Sequence, residues 1–312
     1  MKSSNLSELI IPIMKENVSL RDLNTIRIGG PALYFATPST LSELKEILDF
    51  SGDRNLKFYI LGNGSNVLLS DEDFKGIVIK LSGTFREIAF HADDAIVTAG
   101  AGAQLIELGN KIAERGYTGC AYMGVIPGTV GGAVRMNAGT LEEGEIKDHF
   151  LNAQVLDPQT NELETYSSDD MLFEYRTCTL SQSRKILLQV TFRLPLAKEK
   201  YQGEAREIIN SILATRRRKH PKIPLNFGST FKRPLRGEPP GWYLEKAGMK
   251  GMRIGGAMIA QEHANWILNV DNATSQDVKY LIALGQKRVF EKFALWLERE
   301  VIYLPEDMAD WT

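Results

Sequence analysis

Three polar residues that are far apart in the sequence could do acid–base or charge-stabilising chemistry. Ser229 offers a hydroxyl next to a glycine, Arg176 a planar and permanently charged fork, and Glu300 a carboxylate. Ile302 and Leu304 share a strand face with Glu300, which indicates a partly buried carboxylate that needs a partner. The residues alone leave plain alternatives open: a turn serine, a surface arginine and a rim ion pair. No Gly-x-Ser-x-Gly motif surrounds the serine, so a hydrolase nucleophile is not supported.

Two glycine-rich segments could hold a phosphorylated ligand with their main chain. Residues 61–67 (LGNGSNV) follow an apolar strand, and residues 124–133 (GVIPGTVGGA) lead into residues 136–139 (MNAG). Consecutive backbone N–H groups in such loops suit a pyrophosphate, although the first segment also fits a tight strand-to-strand turn. For the second segment we infer close approach of a large flat or phosphorylated ligand, because packing alone does not explain so many missing side chains.

A third glycine-containing segment, residues 100–105 (GAGAQL), joins a strand to a helix. Leu105 stands where a dinucleotide-binding fingerprint needs its third glycine, so we interpret the segment as a helix-entry turn. A Rossmann-type dinucleotide site remains the minority interpretation.

Several cations could contact anionic groups of a substrate. Residues 216–219 (RRRK) end a helix, where they offset the helix macrodipole or face a diphosphate. Lys232 and Lys250 are further candidates for a phosphate or carboxylate. The histidines have no metal-ligand spacing, so no metal is predicted.

Strand and helix patterns alternate along the chain, which predicts a mixed α/β or α+β protein. Thr40 and Glu43 form a capping box at the start of the first helix, and Gly116 ends the second. The predicted helices cover residues 40–50, 104–115 and 204–219, with a long helix from residue 274. The predicted strands cover residues 58–61, 76–81, 95–99, most of 154–196 (187–194 most clearly) and 296–304.

Composition excludes several classes of protein. The 312 residues carry a formal net charge of −2, so non-specific nucleic-acid binding is not expected. No run of 18 apolar residues occurs, and residues 1–17 contain no basic segment followed by an apolar core, so neither membrane insertion nor a secretory signal is predicted. The two cysteines, Cys120 and Cys178, form no CxxC pair, and we expect a cytoplasmic protein.

In order along the chain, these segments resemble the UDP-N-acetylenolpyruvoylglucosamine reductase family of peptidoglycan synthesis. The resemblance covers nearly the whole chain. It is carried by both glycine loops and by residues 24–30 (NTIRIGG), 175–176 (YR), 228–232 (GSTFK), 247–251 (AGMKG), 263–265 (HAN) and 297–301 (LEREV).

The resemblance implies an α+β protein with an FAD-binding fold of the vanillyl-alcohol-oxidase type and a C-terminal α+β substrate-binding domain. The implied divisions are an FAD-binding region at 1–200 (subdomains about 1–83 and 84–200), a substrate domain at 201–294, and a C-terminal strand segment at 295–312 that carries Glu300. The implied cofactor-binding residues are Gly62, Asn63, Gly64, Ser65, Asn66, Val67, Val125, Ile126, Pro127, Gly128, Thr129, Gly131, Gly132, Asn137 and Gly139.

The resemblance also implies a reaction. FAD takes a hydride from NADPH and passes it to the enolpyruvyl UDP-sugar, which becomes UDP-N-acetylmuramate. Ser229 is the implied proton donor to carbon, Arg176 the group that holds the substrate carboxylate, and Glu300 the third catalytic residue. The implied substrate-binding residues are Arg176, Arg217, Lys232, Arg233 and Lys250. Both substrates are small molecules, and a monomer is expected.

The chain departs from the family pattern at several positions. Arg233 stands where asparagine is common after the Phe-Lys pair, Cys178 stands where serine is usual, and Ala260 replaces a common serine. The short stretch between Arg176 and Ser229 resembles the subclass that lacks an extra lid segment. Two other functions remain open at this point: a flavin oxidase of the same superfamily, and a nucleotide-sugar binder without activity.

Overall fold

The computed structural model describes residues 13–91, 95–140, 143–195 and 203–310. Its strands are β1 (Met14–Ser19), β2 (Pro31–Ala36), β3 (Lys57–Ile60), β4 (Val67–Leu69), β5 (Phe74–Ile79), β6 (Ile88–His91), β7 (Ile96–Gly100), β8 (Gly139–Thr140), β9 (Gly144–Glu145), β10 (Phe150–Leu156), β11 (Leu163–Ser167), β12 (Ile186–Arg193), β13 (Arg253–Ile254), β14 (Ala257–Ile259), β15 (Ile267–Asn269) and β16 (Ile302–Leu304). Its α-helices are α1 (Leu41–Asp53), α2 (Leu105–Glu114), α3 (Val130–Arg135), α4 (Ser168–Met171), α5 (Glu204–Lys219), α6 (Pro240–Lys246) and α7 (Ser275–Phe293).

The first sheet has the order β1-β2-β5-β3, with β2, β5 and β3 parallel to one another and β1 antiparallel to β2. Helix α1 makes the crossover between β2 and β3. It begins at Thr40, whose hydroxyl accepts the N–H of Glu43, and it buries Leu44, Ile47 and Leu48. The prediction of a helix from Thr40 is therefore confirmed, with three more residues at its C-terminal end.

The second sheet is antiparallel throughout, in the order β11-β10-β12-β7-β6. Its apolar side, the inner faces of the first sheet and helix α2 share one large core. Residues 100–105 enter α2 from β7, as the helix-entry interpretation predicts. This core places β7 and β12 beside the short helix α3.

The C-terminal elements form a second core. A three-stranded antiparallel sheet, β13-β14-β15, packs against α7, and Ile26, Ile28 and Leu68 from the first part of the chain join that core. The chain then returns, and β16 pairs in parallel with β4, which directly follows the first glycine loop. This pairing brings the residues before β16 next to that loop.

Two expectations need correction or comment. The predicted strand at 296–304 is wrong in length: only Ile302–Leu304 is a strand, and Arg299 makes an isolated bridge to Phe231. Helix α5 packs its buried residues Ala205 and Ile209 on Ala113 and Val125, two residues of the predicted FAD-binding region. The junction predicted between residues 200 and 201 lies outside the described residues, and the domain bounds remain a prediction.

Candidate active site

The first glycine loop crosses from the end of β3 to the start of β4, two strands that do not pair with each other. Gly64 has φ +62°, and its carbonyl accepts hydrogen bonds from the N–H and the hydroxyl of Thr25, both at 3.2 Å. A Cβ on Gly64 would lie 2.5 Å from the Cβ of Asn24, and one on Gly62 would lie 2.6 Å from the Oγ1 of Thr129. Both glycines are therefore required by their protein neighbours.

The main-chain N–H groups of residues 62–66 indicate that this loop binds a ligand. None of the described residues accepts a hydrogen bond from any of these five consecutive N–H groups. Free, successive amides in a loop between strands are the feature that binds a phosphate or diphosphate. The first loop thus has the donor set that its sequence predicts.

The second glycine loop leads into α3, and most of its helical amides are already bonded. Val130 and Gly131 donate to the carbonyls of Ala103 and Ala101 at 2.9 and 2.8 Å, and Gly132 donates to the hydroxyl of Thr129 at 3.3 Å. The hydroxyl of Ser65 donates to the carbonyl of Pro127 at 3.0 Å and so joins the two loops. The second loop therefore supports the first.

Packing accounts for more of these glycines than the sequence suggests. A Cβ on Gly131 would lie 3.0 Å from that of Ala101, and one on Gly139 would lie 2.4 Å from that of Glu145. The premise that packing does not require the missing side chains is therefore wrong at these two positions. Gly132 differs, because its Cβ would meet only the Thr129 hydroxyl at 3.5 Å and the residue is exposed.

A cleft opens where both loops meet the two large sheets. Gly62, Thr129, Gly131 and Gly132 line it together with the cationic side chains of Lys80, Arg135 and Arg184, and with apolar residues of β3 and β12. Burial lowers the pKa of Arg135 to about 10, so this arginine stays charged at neutral pH. Apolar walls, cations and free loop amides together suit a flavin dinucleotide, whose rings are flat and whose diphosphate is anionic.

The side chain of Arg176 reaches the segment that joins the second loop to β8. Its guanidinium donates to the carbonyls of Asn137 at 3.2 Å and Gly139 at 2.8 Å, and its Nε lies 3.4 Å from Oε1 of Glu300. Arg176 and Asn137 both have positive φ, +60° and +40°. Asn137 is fully buried and bonds the main chain of Glu174 and Lys147, so the surrounding structure holds this strained backbone in place.

Glu300 is the point where the cofactor loop and the C-terminal elements meet. Its side chain is 16% exposed, and its carbonyl accepts a hydrogen bond from the side-chain amide of Asn66 at 3.2 Å. Burial raises the pKa of the Glu300 carboxyl, while the charges of Arg176 and Lys232 act in the opposite direction. The alternative of a rim ion pair with Arg299 or a lysine is wrong for Arg299, which pairs with Asp307, while the ion-pair partner of Glu300 is Arg176.

The segment of Ser229 is fixed by two side-chain amides. Gly228 has φ +79°, and its N–H donates to the side chain of Asn226 at 3.0 Å. Asn265 bonds both the N–H and the carbonyl of Phe231 with its side chain, at 3.0 Å each. The N–H of Glu300 donates to the carbonyl of Thr230 at 2.9 Å, so Ser229 precedes a residue that is directly paired with Glu300.

Comparison with known proteins agrees with this arrangement. Residues 32–166 match the family described as an FAD binding domain, and residues 220–304 match the C-terminal domain of UDP-N-acetylenolpyruvoylglucosamine reductase. The UDP-N-acetylenolpyruvoylglucosamine reductase of Caldicellulosiruptor bescii is 39% identical over 92% of this chain and 89% of the relative. The enzyme of the same name from Lactiplantibacillus plantarum is 37% identical over 95% of both chains.

The chain belongs to the UDP-N-acetylenolpyruvoylglucosamine reductase family. A crystal structure of the family member from Thermus caldophilus superposes with a TM-score of 0.79, at 32% identity, over 94% of this chain and all of that one. The coarser fold class is confirmed: an α+β protein with an FAD-binding domain and a C-terminal domain of this reductase family.

For this reductase-family member, the structure brings only some of the predicted substrate-binding cations to Glu300. Lys232 lies on the paired segment, where its charge acts on Glu300 and its ammonium pairs with Glu298. Arg233 is exposed and donates its main-chain N–H to the hydroxyl of Tyr175 at 3.3 Å.

The other two predicted substrate cations lie apart from this junction. Lys250 pairs with Glu245 at 2.8 Å, and Arg217 is exposed near the end of α5. Neither Lys250 nor Arg217 has a hydrogen bond or ion pair with Glu300. Their role in substrate binding therefore remains a prediction.

Sequence reasoning missed three residues that hold the site together and one contact of a residue that it did predict. Arg216 donates to the carbonyl of Val125, so the neighbour of the predicted Arg217 contacts the second loop. Gln104 pairs with the amide of Asn63, Thr25 bonds Gly64, and Asn66 reaches Glu300 rather than serving the loop alone. The four-residue basic run was a signal for Arg216; the other contacts join residues with no pattern in common.

Two further sequence predictions concern a metal site and a membrane-spanning helix. Within residues 13–91, 95–140, 143–195 and 203–310, no group of three or more His, Cys, Asp or Glu side chains could hold a metal ion. Across the same part of the chain, the helices are all too short or too polar to cross a bilayer.

Proposed function

We propose that this protein reduces the enolpyruvyl ether of UDP-N-acetylglucosamine to UDP-N-acetylmuramate for peptidoglycan synthesis, with FAD as cofactor and NADPH as hydride donor. The observation that carries the proposal is the junction at Glu300. One residue there contacts Arg176, the Asn66 side chain of the cofactor loop, and the segment of Ser229. We further propose that it acts as a cytoplasmic monomer with no nucleic-acid partner, a view that its near-neutral charge supports.

Different parts of the chain would hold different parts of the cofactor. The free amides of residues 62–66 would take the diphosphate, and the cleft between the sheets would take the rest of the dinucleotide. When bound, the flavin accepts a hydride from NADPH and supplies it to the terminal carbon of the enolpyruvyl group.

Arg176 is suited to the negative charge that develops on the substrate carboxylate. Two of its five N–H donors are used by the carbonyls of Asn137 and Gly139, and a third faces Glu300. The remaining N–H groups of the same fork are free to hold a carboxylate. Because these protein contacts fix the guanidinium in advance, it can stabilise an enolate-like state without reorganising.

Ser229 would donate the proton that the α-carbon needs after hydride addition. A hydroxyl is a weak acid in water, so nearby positive charge must stabilise the alkoxide that it leaves. Lys232 lies three residues along the same segment, and Arg176 lies across Glu300. We propose that these two cations supply that charge, and that Glu300 orients Arg176 and the substrate carboxylate.

The test separates the two halves of the reaction. In an anaerobic absorbance experiment, NADPH should bleach the flavin of the parent protein, and the enolpyruvyl UDP-sugar should restore its colour. Ser229→Ala should keep the bleaching step, while the recolouring step should slow by about 10²- to 10⁴-fold, the usual contribution of a positioned acid.

Ser211→Ala is the matched control, because Ser211 is exposed on α5. It should behave as the parent in both steps. Recolouring of Ser229→Ala at the parent rate would remove Ser229 as the proton donor. Rapid reoxidation of the flavin by air, with no response to the enolpyruvyl sugar, would instead indicate a flavin oxidase.

A further inference from the structure

The side chain that follows Ser229 has no explained role. Thr230 is 1% exposed, and its hydroxyl has no hydrogen-bond partner among the described residues. A buried hydroxyl without a partner destabilises a fold, and valine of the same shape would avoid that cost. The position of Thr230 therefore suggests a partner that becomes available at another stage of the reaction.

The register of the chain identifies that partner. Phe231 and Arg299 form an antiparallel bridge, and the adjacent hydrogen bonds run from Glu300 N–H to the Thr230 carbonyl and from Lys232 N–H to the Glu298 carbonyl. Thr230 is thus directly opposite Glu300. Side chains of directly opposite residues start about 5 Å apart at Cβ, within reach of a hydroxyl–carboxylate hydrogen bond.

The neighbouring pair of opposite residues shows that side chains do make contact across this bridge. Lys232 and Glu298, the next opposite pair on the same side, form an ion pair. Glu300 itself is held in the present arrangement by Arg176, at 3.4 Å from one carboxylate oxygen. That partner is the arginine proposed to hold the substrate carboxylate, so a carboxylate bound to its remaining N–H groups weakens its attraction for Glu300.

We propose that Thr230 is a positioning residue, whose hydroxyl donates a hydrogen bond to the Glu300 carboxylate when Arg176 engages the substrate. The inference rests on the proposed function and goes beyond it. The hydroxyl replaces part of the interaction that Glu300 loses, and it keeps the carboxylate in place opposite Thr230.

The charges around Glu300 fix the sign of the expected effect. Arg176 and Lys232 lower the pKa of its carboxyl, and burial raises it. A hydrogen bond donated to the carboxylate stabilises the ionised form and lowers the pKa further. Loss of the Thr230 hydroxyl should therefore raise the pKa of Glu300 in the substrate or product complex.

The experiment compares Thr230→Ser, Thr230→Ala and Thr230→Val in the FAD-loaded protein. Ser and Ala differ in the hydroxyl alone, and Val keeps the shape of threonine without it. The recolouring step should have a pH limb that Glu300→Gln abolishes. In the Ala and Val variants this limb should move about one unit to higher pH, the size expected for one hydrogen bond to a charged group. The Ser variant should match the parent, and NADPH should bleach the flavin of all three at the parent rate.

A second readout does not depend on turnover. The carboxyl band of Glu300, assigned by difference infrared spectra against Glu300→Gln, should titrate at higher pH in Thr230→Ala than in Thr230→Ser with UDP-N-acetylmuramate bound. An unchanged titration and an unchanged limb, together with a higher Tm for Thr230→Val, would overturn the proposal and make Thr230 a packing residue. Failure of the parent to respond to the enolpyruvyl sugar would instead count against the proposed function.

Discussion

The two glycine loops have similar sequences and different uses of their backbone. In the first, the N–H groups of residues 62–66 have no acceptor among the described residues, while the carbonyls of Gly64 and Asn66 are bonded to Thr25 and Ile302. In the second, the N–H groups of Val130, Gly131 and Gly132 are bonded to the protein. The first loop presents five successive donors, whereas the part of the second loop that enters α3 uses its donors within the protein.

This difference teaches that a glycine count does not identify a ligand site. A glycine can be missing its side chain because a protein neighbour needs the space, because φ is positive, or because a ligand approaches. Only the third reason reports function directly. The three cases occur here within one site, and substitution by alanine tells them apart because each predicts a different balance of stability and FAD affinity.

The largest effect is expected at Gly64, in the first loop. Alanine there would have φ +62° and would place its Cβ 2.5 Å from Asn24, against backbone as well as side chain. Left-handed backbone and forced overpacking each cost about 1–3 kcal/mol, so Gly64→Ala should lower the free energy of unfolding by about 3 kcal/mol or more. Denaturant unfolding of the FAD-free protein measures this.

Gly52→Ala is the control for that experiment. Gly52 lies near the end of α1, where an added Cβ would have no neighbouring atom within 4 Å and φ is not positive. It should leave stability unchanged or raise it slightly. If Gly64→Ala proved as stable as Gly52→Ala, the close contact between the loop and Asn24 would not exist in solution.

An intermediate effect is expected at Gly131, in the second loop. Its added Cβ would lie 3.0 Å from the Cβ and 3.1 Å from the carbonyl of Ala101, and its own N–H bonds that carbonyl. The neighbour must shift by a few tenths of an ångström, and the helix gains propensity, so Gly131→Ala should cost about 1 kcal/mol. Thermal unfolding with and without FAD checks this: both Tm values should fall together. A fall confined to the FAD-bound protein would mean that Gly131 contacts the cofactor rather than Ala101.

How far the sequence could predict this site follows from the same distinction. Local signals were sufficient for the helix at Thr40, the turn into α2 and the helix from Thr274, because a cap and a period-3.6 pattern act within a few residues. The order of motifs along the chain was sufficient to predict the family, and membership of the family was sufficient to predict the fold.

Contacts between distant residues could not be predicted in this way. The amide of Asn66 bonds a carbonyl 234 residues away, and Thr230 meets Glu300 through one isolated bridge. The predicted strand at 296–304 was too long because its alternating apolar residues also fit an irregular segment that pairs at single points. Arg217 was chosen from a run of four cations, and only packing selects Arg216 for the loop.

The smallest effect on stability, and the sharpest test of the comparison, is expected at Gly132. Alanine there meets only the Thr129 hydroxyl at ordinary distance, so Gly132→Ala should raise the stability of the FAD-free protein by about 0.5–1 kcal/mol through helix propensity. Gly132 lines the cleft and, unlike Gly131, would place its Cβ no closer than 3.5 Å to a protein atom, so its new methyl group should weaken FAD binding by about tenfold, or 1.4 kcal/mol. Stability and FAD affinity would then move in opposite directions. This is not expected at Gly64 or Gly131. FAD titration by flavin fluorescence gives the affinity, and an unchanged value would restrict the cofactor contacts to the first loop.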